Sequence, residues 1–124
     1  MRIQITAVLL FTFIFAALSV VFVTGQTTAE QTGESLFTDK GCAACHTIGK
    51  GKLAGPDLLG VTERREIEWL KKWLKNPDTM VMTDPIAKEM LKEYFVPMPN
   101  QGLSDDEIEI LINYLKKKDN ETKD

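Results

Sequence analysis

Five consecutive residues, Cys42-Ala43-Ala44-Cys45-His46, constrain this chain more than any other stretch. They contain both of its cysteines and its single histidine. On one helical turn, positions i and i+3 share a face and i+4 lies almost on it. Cys42 and Cys45 can therefore present two thiols side by side while His46 projects its imidazole next to them. This is the spacing with which a c-type haem is attached: two thioethers to the porphyrin and a histidine at the iron. A structural zinc site needs about four protein ligands, one more than this string supplies, and no nearby Asp or Glu has the spacing to complete it. A thioredoxin-like pair should follow a strand in a βαβ pattern, whereas residues 36–41 read as helix. Neither alternative requires a histidine directly after the second cysteine.

The N-terminus carries a targeting signal. Arg2 provides a positive end, and residues 3–23 are apolar apart from Gln4, Thr6, Thr12 and Ser19. Such a run is close to the roughly 20 residues that span a bilayer as a helix, and longer than a secretory core of about 7–15 residues. Residues 1–25 are therefore expected to form an uncleaved membrane anchor. The alternative is a removed signal peptide, with cleavage after Gly25 or Ala29. Arg2 inside and Glu30 and Glu34 outside follow the positive-inside bias. That order puts the rest of the chain on the periplasmic side of the cytoplasmic membrane, or free in the periplasm or medium if the segment is cleaved. Residues 26–32 read as a polar tether. The net charge is −3, and loss of residues 1–25 would remove only Arg2. An acidic domain argues against a nucleic-acid partner.

Residues 33–118 form the expected domain, with no strand pattern and no internal repeat. Residues 34–40 suggest a short helix with Leu36 and Phe37 inward and glycines at both boundaries. Residues 47–60 hold four glycines and a proline and read as a long loop, of the kind that is often functional. Gly55-Pro56-Asp57 within it is, read plainly, a turn. Residues 62–75 read as one helix with Ile67, Leu70 and Leu74 on a face, ended by Asn76-Pro77. Trp69 and Trp73 on it can pack on a porphyrin or donate an indole N–H to a propionate, and serve equally well as ordinary core aromatics. Its Arg and Lys residues, Arg64 and Arg65 among them, read as a solvated face that, with Lys50 and Lys52, could also steer an acidic partner. Residues 78–83 read as a loop containing Met80 and Met82. Asp84-Pro85 opens the next helix, with Ile86, Met90 and Leu91 on its apolar face. Ser104 and Glu107 form a capping box for a last helix with Ile108, Leu111, Ile112 and Leu115 inward. Residues 116–124 read as a charged, fraying end, with 119–124 as a tail outside the domain.

A single histidine excludes two-histidine ligation of the iron within one chain. The sixth position then falls to a methionine or to a weaker ligand, or stays open. Met90 lies on a packing stripe. Met80 and Met82 remain candidates. Met98 stands between Pro97 and Pro99, which restrict the backbone on both sides, so a thioether there loses less entropy on binding.

Taken together, Gly33 with Leu36-Phe37, the Cys42-to-His46 string, Gly55-Pro56-Asp57-Leu58, Met98-Pro99 and Leu103-Ser104-Asp105 leading to Ile112 and Tyr114-Leu115 resemble the class I, single-haem cytochromes c. The resemblance spans residues 33–118. It implies an all-α fold of about four short helices around one covalently bound haem, here preceded by an N-terminal hydrophobic helix, with the first and last helices crossing beside the haem. It also implies that Cys42 and Cys45 hold the haem, that Pro56 offers its carbonyl to His46, and that His46 and Met98 ligate the iron. The implied function is one-electron transfer without catalysis, between membrane-associated and periplasmic redox proteins, with no small-molecule substrate. An anchored domain of this type is also similar to cytochromes that accompany denitrification enzymes such as nitrous oxide reductase. The other readings are a cytochrome subunit of a larger membrane oxidoreductase and, from a different class, an open-site haem sensor or small peroxidase.

Overall fold

The computed structural model describes residues 32–122. The expected anchor helix and almost all of the tether lie outside the described residues. Among the described residues there are six α-helices, one 3-10 turn and no strand. In chain order these are α1 (Gly33–Asp39), the 3-10 turn Cys42–Ala44, α2 (Val61–Arg64), α3 (Ile67–Lys75), α4 (Pro77–Thr83), α5 (Pro85–Tyr94) and α6 (Asp105–Glu121). No helix among them is long and apolar enough to cross a membrane.

The helix α6 is the spine, against which α1, α2 and α3 pack, while α4 joins α3 to α5. Its start is over-determined. The Ser104 hydroxyl accepts the Glu107 N–H at 3.2 Å and the Glu107 carboxylate accepts the Ser104 N–H at 2.8 Å, which satisfies two donors that a helix start leaves orphaned. Leu103 just before the cap and Ile108 in the first turn belong to one buried cluster, a hydrophobic staple that sets the entry angle of the chain. Leu111 and Ile112 continue that cluster, with Leu36 and Phe37 from α1 and Leu70 from α3. Ion pairs reinforce these packings at the rim: Lys40–Glu107 at 2.8 Å, Lys71–Glu109 at 2.5 Å and Lys75–Asp105 at 2.7 Å.

Several local expectations change. Gly33 is not a boundary but the first helical residue, capped by the Thr32 hydroxyl, which accepts the Ser35 N–H at 3.1 Å. The stretch 62–75 is two helices, because Arg65 is extended (φ −132°, ψ 141°) and Glu66 begins α3 anew. Residues 78–83 are helical, since the buried Pro77 sits at the first helical position, where its fixed φ favours the helix and its missing N–H costs nothing. These two changes raise the helix number above four. The charged end does not fray at residue 116: α6 runs to Glu121, and Asp119 inside the expected tail is 3 % exposed. Ile86 also departs from its expected inward face; Ala87 is the buried residue there.

Gly33 marks where α1 meets α6. A Cβ on it would lie 2.2 Å from Tyr114 Cβ and 3.1 Å from the Ile110 carbonyl oxygen, and Phe37 packs against the Tyr114 ring at 5.9 Å between centroids. Only glycine allows this approach. Gly33→Ala should therefore destabilise the fold by about 1–3 kcal/mol, as overpacking does, although helix propensity alone would favour alanine by about 1 kcal/mol. Chemical denaturation of the pair of proteins measures the sign directly.

Candidate haem site

The helices and the long loop border a half-open cavity of about 610 Å3. Its lining includes Cys42, Cys45, His46, Pro56, Trp69, Trp73 and Met98, so every residue singled out for the cofactor faces one space. The cysteines come there because α1 ends at Asp39 and Gly41 (φ 72°) turns the chain into Cys42–Ala44. Within that turn the Cys45 and His46 amides both donate to the Cys42 carbonyl, at 3.1 and 2.9 Å. Both thiols are free, and burial pushes the Cys42 thiol up, a rise only partly offset by its own backbone. No disulfide competes for them.

His46 Nδ1 lies 2.9 Å from the Pro56 carbonyl oxygen. A carbonyl only accepts, so Nδ1 carries the proton and Nε2 keeps its lone pair for a metal. Gly55 lies against the same ring: a Cβ there would fall 2.6 Å from His46 Cε1. The Gly55 N–H donates to the Cys45 carbonyl at 2.8 Å and the Leu58 N–H to the Thr47 carbonyl at 2.8 Å. The segment carrying Pro56 is thus tied on both sides of His46. Gly55-Pro56-Asp57, plain turn residues in sequence, form the wall behind the histidine.

Trp69 and Trp73 stack, with ring centroids 5.6 Å apart and planes 12° from parallel. The Arg65 guanidinium lies 5.7 Å from the Trp69 ring centroid. Trp69 Nε1 is buried and makes no bond of hydrogen-bond geometry. Asp84, which accepts the Ala87 N–H at 3.0 Å, is held below the usual carboxylate range chiefly by that amide, with the Trp69 indole a lesser influence. Two free thiols and a lone-pair nitrogen lining one apolar cavity fit a haem.

The methionines divide. Met98 and Met90 line the cavity. Met82 is 70 % exposed, and Met80 lines a separate groove beside Lys71, Lys75 and Asp105. Met90, a packing residue by its sequence pattern, reaches the cavity because Ala87 rather than Ile86 turns inward on α5.

Three further residues hold the site, and sequence reasoning gave none of them that role. The Asp57 carboxylate accepts the amides of Gly49 (2.8 Å), Gly51 (2.5 Å) and Leu59 (2.9 Å). Arg64 donates to the carbonyls of Leu59 and, at 3.0 Å, Asp57. Asp119 accepts the amides of Gly60 (2.5 Å) and Thr62 (3.0 Å) and the Thr62 hydroxyl (2.6 Å), fastening the end of the loop to α6. An Asp inside a Gly-rich loop is a readable turn signal. Nothing in a charged terminal run marks Asp119, whose partners lie nearly sixty positions away.

This architecture, a small helical shell around a cavity that presents two thiols and a histidine, defines a protein that carries a covalent haem. The family profile for cytochrome c matches residues 30–119, and the chain belongs to the cytochrome c family. Its fold is similar to that of a cytochrome c from Rhodothermus marinus, at 31% identity and a TM-score of 0.69, covering 73% of this chain and 77% of that one. It is also similar to a cytochrome c domain from Pseudomonas putida, at 40% identity and a TM-score of 0.64, covering 72% and 89%. No curated protein sequence matches the chain. The class I, all-helical expectation holds. As a cytochrome c the protein carries covalently bound c-type haem with its iron, and haem-based electron transfer is its function.

The polar loop and the cavity each have a measurable consequence. Desolvation would raise the Asp57 pKa, but the amides of Leu59, Gly49 and Gly51 and the Thr47 hydroxyl overcome it and bring it to about 2, against an ordinary 3.8. A carboxylate depressed in this way contributes stability that is present above 3.8 and lost as the pH falls through 2. Between pH about 4 and about 2, the melting temperature of Asp57→Asn should accordingly fall less steeply than that of the parent. Left without its occupant, this half-open cavity of about 610 Å3 would leave its apolar lining in contact with water, in a domain whose core is marginal on size alone. The double variant Cys42→Ala, Cys45→Ala should show no cooperative thermal transition when haem is withheld, as read by far-UV circular dichroism.

Proposed function

We propose that the protein is a one-electron carrier with His46 and Met98 as the axial ligands of its iron, held at the outer face of a membrane by residues 1–25. The observation that carries this reading is that the single histidine and the proline-flanked Met98 line the same cavity, while Met80 and Met82 do not. Bound iron supplies one-electron chemistry, and a thioether opposite histidine raises its potential. The chain does the rest. Cys42 and Cys45 fix the cofactor covalently. Pro56 holds the proton on His46 Nδ1 and so keeps Nε2 available. Pro97 and Pro99 limit the ways in which the Met98 backbone can move away. Leu70, Leu111 and Leu115 line the cavity and exclude water, which lowers the reorganisation that accompanies a change of charge.

Donor and acceptor are redox proteins on the membrane and in the periplasm. A denitrification enzyme such as nitrous oxide reductase fits as the acceptor, by similarity of layout alone. Service as a subunit of a membrane oxidoreductase is the second reading, favoured by the long apolar N-terminal run. An open-site sensor or peroxidase is disfavoured by the presence of Met98 at the cavity and by the lack of a second histidine.

Visible spectroscopy tests the ligation. The weak band at the red edge that reports Met–iron bonding should be present in the parent, lost in Met98→Ala, and retained in Met82→Ala and Met90→Ala. The parent should bind carbon monoxide slowly and Met98→Ala rapidly. Retention of the band in Met98→Ala overturns the assignment. Recovery of the intact chain in membranes, with release only by detergent, tests the anchor.

A further inference from the structure

Residues 47–60 present a physical problem. They form no helix or strand before α2, contain four glycines, and expose Leu53 near their tip. Ordering so flexible a backbone is expensive, and the partly buried Ile48 and Leu58 offset only part of the cost. Yet Pro56, in the middle of this stretch, meets His46 Nδ1 at hydrogen-bond distance.

Asp57, the next residue, gathers the loop. Its Oδ1 accepts the Gly49 and Leu59 amides and its Oδ2 the Gly51 amide, so one carboxylate joins the loop's outgoing and returning halves. The Thr47 hydroxyl donates to the Gly51 carbonyl and closes the outgoing half on itself. From the opposite side Arg64 takes the carbonyls of Asp57 and Leu59. The peptide unit that contains the Pro56 carbonyl also contains the Asp57 nitrogen, so restraint at Asp57 is restraint on the acceptor of the histidine proton.

We propose that the Asp57 carboxylate is the positioning residue of the proximal histidine: by collecting three loop amides it holds the Pro56 carbonyl at His46 Nδ1, with Arg64 bracing the same backbone. The inference rests on the reading of His46 as an iron ligand. It assigns to Asp57 a role in setting ligand strength and not only loop stability, because a well-held acceptor on Nδ1 makes the imidazole a stronger donor to the metal. The depressed pKa of Asp57 accords with a carboxylate ionised throughout the working range.

The test uses isotopically labelled, haem-loaded protein. Solvent exchange of the His46 Nδ1 proton is followed by nuclear magnetic resonance, and the reduction potential is measured alongside. Asp57→Asn should accelerate the exchange about tenfold or more, the scale expected for losing hydrogen bonds to a charged group. It should also raise the potential beyond the shift seen in Asp39→Asn, a control that removes the same charge from an exposed position at the end of α1. Exchange and potential equal to those of the control overturn the proposal. If Asp57→Asn does not assemble with haem, Arg64→Gln decides. It leaves the carboxylate intact and removes the bonds to the Asp57 and Leu59 carbonyls. Faster Nδ1 exchange in that variant supports the proposal, and the parent rate overturns it. A parent protein with no shifted, slowly exchanging Nδ1 proton overturns the ligation of His46 and the positioning role together, whereas a normal parent with unaffected variants overturns the positioning role alone.

Discussion

A half-open cavity of about 610 Å3 is the constraint on which the rest of this protein depends. A domain of this size has few apolar residues to devote to a core, and several of them serve both the core cluster and the wall of this space. Phe37, Leu70, Leu111 and Leu115 each line the cavity. The buried cluster of Leu36, Phe37, Leu70, Leu103, Ile108, Leu111 and Ile112 closes α1 and α3 onto α6 but does not fill the middle. The protein is completed by a large apolar body anchored through Cys42 and Cys45, and its stability and its function share one cofactor.

Around that volume the chain uses two kinds of force in two places. Helix α6 and its neighbours rely on apolar burial, an N-terminal cap and a close glycine contact, which together set α1 against Tyr114. The loop that backs His46 relies on polar bonds: Asp57 and Asp119 take amides, and Arg64 takes carbonyls. Directional bonds suit this wall because the histidine needs its acceptor at a defined distance and angle, which non-directional burial does not specify.

Much of this is legible in the sequence, for physical reasons that differ by element. The haem string can be read because its function needs specific atoms at a short spacing within one turn. The inward positions of α6, Ile108, Leu111, Ile112 and Leu115, can be read because periodicity and the Ser104–Glu107 cap are local. The break at Arg65 and the helix after Pro77 cannot. The helical pattern of residues 62–75 is locally acceptable, and the interruption is seen only where α2 and α3 each pack on α6. Met90 reads as packing because a stripe does not say whether its neighbours are side chains or a cavity.

By itself the sequence determined the cofactor, its mode of attachment and the scarcity of ligands: two thiols, one imidazole and a few methionines, all consequences of composition and short spacing. The family resemblance already implies Pro56 and Met98; the tertiary structure alone decided that Met90 also reaches the cavity and which carboxylates hold the loop. Those choices depend on residues such as Asp119 and Thr62, or Pro56 and His46, that meet only after the chain has closed on itself. No local pattern encodes such a meeting, because it is enforced by packing onto α6 in one place and by the loop's polar bonds in the other.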